Sequence, residues 1–598
     1  MYRPSGRPAT LIGVVVALAV ATASGCASQG KSATPAPAAH TSPGRTVQAE
    51  STAIDNEPSA ADSPLIDYPV RPFPSGSMYD LLVAEFAGMR GDLALAVAKY
   101  HAQALATRDP NVLARAVQTA SYARDRAVVE ELGYLWAEIE PDNLEANRVA
   151  FYFAARDNEV EAALNYAQRL LDLGDGDAIV SLPGFTEKLD PEKRAPIIDR
   201  YNALSPDLTL TPKVLLGRLR LEGQQGDLDQ ALITGEALLD LEPDNEDARL
   251  VFAQVLYGNG LPDTAMRVLR EGIERRPNSK KLNLLMIRFI ADNDLEEAHA
   301  RLSTLVELYQ DDVDLLYSLA LLNKQLGFLE DARSAFKKMI SHNRRVADAH
   351  YHLADIADRG GDVDEALSNY ALVGEGEHFM PALARMTTLM MDRGQMTEAR
   401  LYLHRLRLHN PEMVVPLYRL ESELLMGARH YDSAYSLLTE GLTDDPHNFD
   451  LLYTRSLVSE KRRDIKAVEQ DLRAILVRDK NNASALNALG YSLTNHTTRY
   501  QEALSLIRKA HALSPDDAAI IDSLGWVLYR LGNTEEALAY LRRAMATIPD
   551  SEVAAHLGEV LWVTGNRREA MKIWREGLEN DPDSEYLNET MDRFQASP

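Results

Sequence analysis

Residues Gly25-Cys26-Ala27-Ser28-Gln29-Gly30-Lys31-Ser32 have the spacing G-x-x-x-x-G-K-S. Such a segment cradles phosphate where it joins a strand to a helix, because the helix's first free N–H groups and its dipole hold the anion. An apolar run, LIGVVVALAV, does precede it, but the residues behind it are ATPAPAAHTSPG. Pro35, Pro37 and Pro43 forbid the helix. The element that would position the phosphate is missing. Other chemistry-bearing patterns fail in the same way. The chain has no H-E-x-x-H and no G-x-S-x-G, and Gly258-Asn259-Gly260 lacks the third glycine of a dinucleotide loop. His350 with His352, and His404 with His409, have neither i,i+4 spacing nor acidic partners suited to a metal. We therefore expect no catalytic residue, no metal site and no cofactor.

The same stretch supports another chemistry, acylation of a thiol. Arg3 and Arg7 precede an uncharged run over residues 9–22, and small residues lead into Cys26, which is signal-peptide layout. The apolar run is too short for a stable bilayer span. Ala23-Ser24-Gly25-Cys26 resembles the lipobox of bacterial lipoproteins, departing from it at Ala23, where leucine is favoured. Cys26 is also the single cysteine, which excludes a disulfide framework and a thiol metal site. The resemblance implies removal of residues 1–25 and a multi-chain lipid anchor on Cys26; two or more acyl chains hold stably where one does not. A signal cleaved without lipidation is the competing reading. No Asp follows the cysteine, so by the lipoprotein sorting rule the resemblance implies the outer membrane, with the chain on its periplasmic face.

Bulk composition narrows the partners. The formal charge is −26 over 598 residues, and −28 once Arg3 and Arg7 leave with the signal. So acidic a chain repels phosphate backbones, and we expect no nucleic acid. Hydrophobic residues make up 45%, as in a globular protein. Residues 26–76 are the exception: rich in Ala, Pro, Ser and Thr, they bury too little apolar surface to order themselves. We read them as a tether, with a random-coil reach of about 40 Å, or as a remnant between anchor and domain.

Beyond residue 77 the pattern is helical, and prolines recur as Pro243 and Pro277, Pro411 and Pro446, Pro515 and Pro549. Spacings near 34 residues signal stacked helix pairs. In AAIIDSLGWVLYRLGNTEEALAYLRRAMATIPD, from Ala518, the residues Ile521, Leu524, Gly525 and Leu528 share one helix face. Gly532-Asn533 ends that helix, and Ala537, Leu541 and Ala544 face inward from the next. The unit resembles the tetratricopeptide repeat, with Ile521, Leu528 and Leu541 standing where that pattern favours Trp, Tyr and Phe. Repeats in phase begin near 212, 246, 280, 313, 347, 380, 415, 449, 483, 518 and 551, with the small second-helix residue missing only at Val468. The resemblance implies an all-α solenoid of helix-turn-helix units wound as a right-handed superhelix. We expect degenerate pairs over 77–211, with a proline-rich irregular unit at 174–211, eleven repeats over 212–582, and a capping helix and tail over 583–598.

In resembling repeats, positions 2, 5, 9 and 12 of each first helix face a concave groove. Here they include Tyr317, Tyr351, Tyr453, Tyr491, Trp526, Tyr529 and Trp562. Exposed aromatic rings there would anchor protein partners; packing of each ring on the next repeat is the alternative. Lys461 to Asp464, a charged turn, reads as solvated. DSLGWVLYRLGN at 522–533 and EVAAHLGEVLWVTGNRREAMKIW at 552–574 resemble the last repeats of large proteobacterial outer-membrane tetratricopeptide lipoproteins. That resemblance implies a non-enzymatic adaptor, bringing a periplasmic carboxyl-terminal processing protease, a serine protease, to peptidoglycan hydrolases. An assembly factor for a pilus or secretin is the other reading.

Overall fold

The computed structural model describes residues 74–187, 189–204 and 211–594. Cys26 and most of the expected tether lie outside them. The described residues form thirty-one α-helices and one short 3₁₀ turn, with no strand among them. They divide into two compact units, one ending at Arg344 and the other starting at Arg345. None of the described helices is long and apolar enough to cross a bilayer.

Each unit is a stack of antiparallel helix pairs. First helices begin at Pro212, Glu246, Lys280 and Val313 in the first unit, and at Val346, Phe379, Val414, Phe449, Ala483, Ala518 and Ser551 in the second. Local chemistry sets these starts. In most repeats a proline stops the preceding helix, as Pro243, Pro446, Pro515 and Pro549 do, and Asn245, Asn448, Asn482, Asp517 or Asp550 then accepts a backbone N–H two or three residues on. This satisfies donors that a helix start leaves free. Between the two helices of a pair the chain turns through a left-handed residue, usually glycine, as at Gly226, Gly327 and Gly532.

Small residues set the distance between paired helices. A Cβ added at Gly525 would lie 2.7 Å from Leu541 Cγ and 3.1 Å from the Ala537 carbonyl oxygen. Ala537 is fully buried, as are Ala231, Ala332, Ala503 and Ala570 at the corresponding places, and Val468 fills that place in one repeat. In the last pair the close contact is more extreme. Trp574, fully buried, lies so near Gly558 that a Cβ there would stand 2.0 Å from its indole nitrogen.

The described residues of 174–211 form two helices, Asp177–Phe185 and Pro191–Leu204, each with an internal proline. Their irregular packing is fastened by polar groups. Tyr201 donates to the Ile179 carbonyl at 2.5 Å, and the Arg194 guanidinium donates to the carbonyls of Leu189 and Gln224 at 2.6 and 2.7 Å.

Candidate partner-binding groove

The second unit contains a cavity of about 640 Å³ lined by first helices of its last repeats and by the terminal helix Glu585–Arg593. Tyr491 and Trp526 lie in its wall, together with Asn495, Arg530, Glu552 and His556. Their order comes from the repeat: residues at matching positions of successive first helices stand side by side, so residues tens of positions apart meet.

At the centre is a buried polar chain. Tyr491 donates its hydroxyl proton to Glu552, 61 residues away, and its oxygen lies 3.4 Å from His556 Nε2. The other imidazole nitrogen, Nδ1, lies 2.9 Å from an Asp522 carboxylate oxygen. Trp526 stacks on His556, with ring centroids 4.1 Å apart and planes 17° apart. It also donates its indole N–H to Asn495 Oδ1 at 2.8 Å. Burial alone would lower the His556 pKa, but Asp522, Glu552 and Glu559 outweigh it and hold the ring above its ordinary value of 6.5. Burial raises the Glu552 carboxyl, opposed by the Tyr491 hydrogen bond and by His556. The Tyr491 hydroxyl is pushed well up, first by burial and then by Glu552.

The mouth is crossed by contacts from earlier repeats to the terminal helix. Arg429 pairs with Glu585 at 2.5 Å across 156 residues of sequence. Lys461 Nζ lies 5.8 Å from the centre of the Tyr586 ring, and Arg593 pairs with Glu559 at 2.7 Å. Arg429 and Arg463 both occupy the left-handed turn position that other repeats give to glycine, with φ of 61° and 59°. That conformation costs a residue with a Cβ about 1–2 kcal/mol, so backbone strain sits beside the groove. Lys461, Arg463 and Asp464 are exposed, as expected of a solvated turn, whereas Arg462 is half-buried: it donates to Asp432 at 2.9 Å and lies over the Tyr435 ring at 4.3 Å.

The structure separates the expected anchors. Trp526 is only 5% exposed, so it is not the open ring expected; its stacking and indole hydrogen bond hold it inside the wall. Trp562 is half-buried, and its ring packs on Trp574 at 5.4 Å and Phe594 at 6.3 Å, with Arg567 over it at 5.1 Å. Tyr529 is half-buried beside Trp526, 5.3 Å away between centroids, and burial with Glu559 pushes its hydroxyl up to about 12. Tyr453 is half-buried against the core of its repeats. Tyr351 stacks on His378 at 4.3 Å with nearly parallel planes. Tyr317 is half-buried in the first unit, on Val313–Leu326.

A search restricted to aromatic side chains misses the acidic half of the groove. The same position rule places Glu552 second, Asp522 fifth and Glu559 ninth in their helices. His556 follows a fifth position by one residue, and only the repeat register brings it opposite Asp522 and Tyr491. Among the described residues no group of three or more His, Cys, Asp or Glu is arranged to hold a metal ion.

Comparison with known proteins agrees with this architecture. Profiles described as tetratricopeptide repeat match residues 224–288, 324–375, 481–549 and 528–589. Over 492 residues the chain is 37% identical to the TPR repeat-containing protein PA4667 of Pseudomonas aeruginosa, covering 81% of this chain and 82% of that one. It is also similar to the CTR9 homolog of Arabidopsis thaliana, at 22% identity over 62% of this chain and 32% of that protein. Among solved structures it is similar to a tetratricopeptide repeat protein of Parabacteroides merdae, at 15% identity over 41% of this chain and 97% of that one, with a TM-score of 0.33. A thermophilic TPR protein of Thermus thermophilus matches at 21% identity over 29% of this chain and 95% of that one, with a TM-score of 0.27.

Proposed function

The chain belongs to the tetratricopeptide-repeat family, and from that premise we propose a non-enzymatic scaffold, tethered through Cys26 to the periplasmic face of the outer membrane. Repeats of this family hold protein partners along their stacked helices. In the proposed role the chain binds a carboxyl-terminal processing protease and presents cell-wall hydrolases to it. Tethering both raises their effective concentration without new chemistry.

One observation carries the reading: the polar and aromatic groove of the last repeats. Tyr431, Tyr491 and Tyr586 line it together with carboxylates and cations, a mixture suited to recognising a protein surface. Its Asp522–His556 pair is nearly buried in the cavity wall, with His556 7% exposed.

A pull-down from detergent-solubilised envelopes tests the proposal. Recovery of a protease together with peptidoglycan hydrolases is the expected result. Recovery of secretin or pilus subunits in their place would move the function to envelope-machine assembly. Turnover of a peptide or peptidoglycan by the purified chain alone would make it an enzyme. For the anchor, Cys26→Ser should move the protein out of the membrane fraction; retention after a high-salt wash overturns that part.

A further inference from the structure

The first described helix, Ser77–Met89, leaves an apolar face without a neighbour among the described residues. Met78, Tyr79, Leu82, Phe86 and Met89 are each between 50% and 79% exposed. At 3.6 residues per turn they fall within an arc of about 100°, the width of a face built to be buried. A solenoid's terminal unit ordinarily turns a polar face outward, because nothing stacks on it. This one does the reverse.

The helix's charges have been taken off that face. Asp80 accepts from Lys99 at 2.7 Å and from Gln103 at 2.9 Å, both on the following helix Leu93–Thr107. Glu85 accepts from Tyr100 and, at 3.0 Å through each of two guanidinium nitrogens, from Arg115. Both carboxylates of Ser77–Met89 are thus engaged by its own stack.

We propose that this face is a homodimer interface, packed against the same helix of a second copy. Two features favour a second copy as the occupant. Met78, Leu82 and Phe86 form an i±4 ridge, and two such ridges interdigitate at the commonest helix crossing angle, so the face is complementary to itself under a two-fold axis. The area is sufficient. Aromatic side chains offer roughly 150–250 Å² each, so the five residues, exposed to this extent, leave on the order of 600 Å² per copy. Twice that reaches the lower edge of the range for specific, stable pairs.

Sedimentation velocity of the mature chain carrying Cys26→Ser, over about 1 to 100 µM, tests the interface without acyl chains. The expected result is a concentration-dependent shift toward twice the chain's mass. Phe86→Lys with Met89→Lys should weaken pairing at least tenfold and leave helicity unchanged, since both side chains are exposed. With Cys26 replaced, Leu82→Cys should crosslink between copies under mild oxidation, whereas Tyr586→Cys should not. A chain that stays monomeric at 100 µM overturns the proposal, as does pairing indifferent to Phe86→Lys. Binding to phosphatidylglycerol vesicles, lost with Phe86→Lys and unaccompanied by pairing, would assign the face to lipid and overturn it as well.

Discussion

The two terminal helices solve the same problem in opposite ways. Glu585–Arg593 buries Leu587 and Met591 against the last pair and turns Glu585, Asn588, Glu589 and Asp592 outward. Its outer charges then reach to residues more than a hundred positions earlier, as in Arg429 with Glu585. Ser77–Met89 buries Ala84 and Ala87 and turns methionines and aromatics outward, while its charges point in. A solenoid end can be finished by solvation or left adhesive. Among the described residues the C-terminal end is finished in this way, and the N-terminal end is not.

If the C-terminal groove is a rigid wall built by burial, truncating its aromatic centre should have the largest effect. Trp526→Ala removes a nearly enclosed ring, and we expect a loss of about 3–5 kcal/mol in stability. Tyr529→Ala, half-buried, should cost less. Thermal melts and a partner titration on the same variants separate packing from contact. Partner affinity preserved at low temperature would remove Trp526 from the binding surface.

The buried imidazole gives the next effect, and its sign is fixed. His556 has a native pKa above 6.5, so the folded chain holds that proton more tightly than the unfolded one. The stability it confers is complete below pH 6.5 and is lost as pH rises through the native value. Glu552, also raised, acts in the same direction from pH 4.5 upward. The C-terminal repeats should melt at lower temperature as the buffer moves from pH 6 to pH 9. His556→Gln should flatten that slope. A slope unchanged in this variant would place the titrating group elsewhere.

How far this was legible in the sequence depended on the kind of regularity. Helix starts follow from local capping and proline, and the close approach at Gly525 and Ala537 follows from small residues in phase. Both are encoded within a few residues of where they act. The groove was half legible. Position rules put Tyr491 and Trp526 on its wall, but exposure depends on what the next repeat supplies, and His556 closes over Trp526 from 30 residues on. The Arg429–Glu585 contact depends on how several repeats stack, which no local pattern states. The exposed face of Ser77–Met89 was hidden for a related reason. Amphipathic spacing shows that a helix has an apolar side, and only the packed stack shows that two sides are apolar and one has no neighbour among the described residues.

Arg429→Ala should have a small effect on the fold. Both side chains of its pair with Glu585 are more than 60% exposed, and exposed pairs contribute about 0.2–1 kcal/mol. The backbone strain at φ 61° remains with alanine, so the melt reads the pair alone. Arg429→Gly removes both pair and strain, and should melt at or above the alanine variant. The reverse order would mean that the arginine stem is packed.

The smallest expected effect sharpens the contrast between the ends most directly. Phe86→Lys should change the stability of the monomer by no more than about 0.5 kcal/mol, as for surface substitutions away from special features, although a large apolar ring is lost. Its C-terminal counterpart, Leu587→Ala, removes a fully buried side chain and should cost about 2–5 kcal/mol. Both residues are large and apolar and sit in the first and last described helices; only what lies against them differs. The melts must be made at a concentration where the chain is monomeric, because pairing would itself stabilise the parent and not the variant. A melt of Phe86→Lys depressed as far as that of Leu587→Ala under those conditions would show that the first helix is held through its outer face within a single chain, and the two ends would then differ in composition alone.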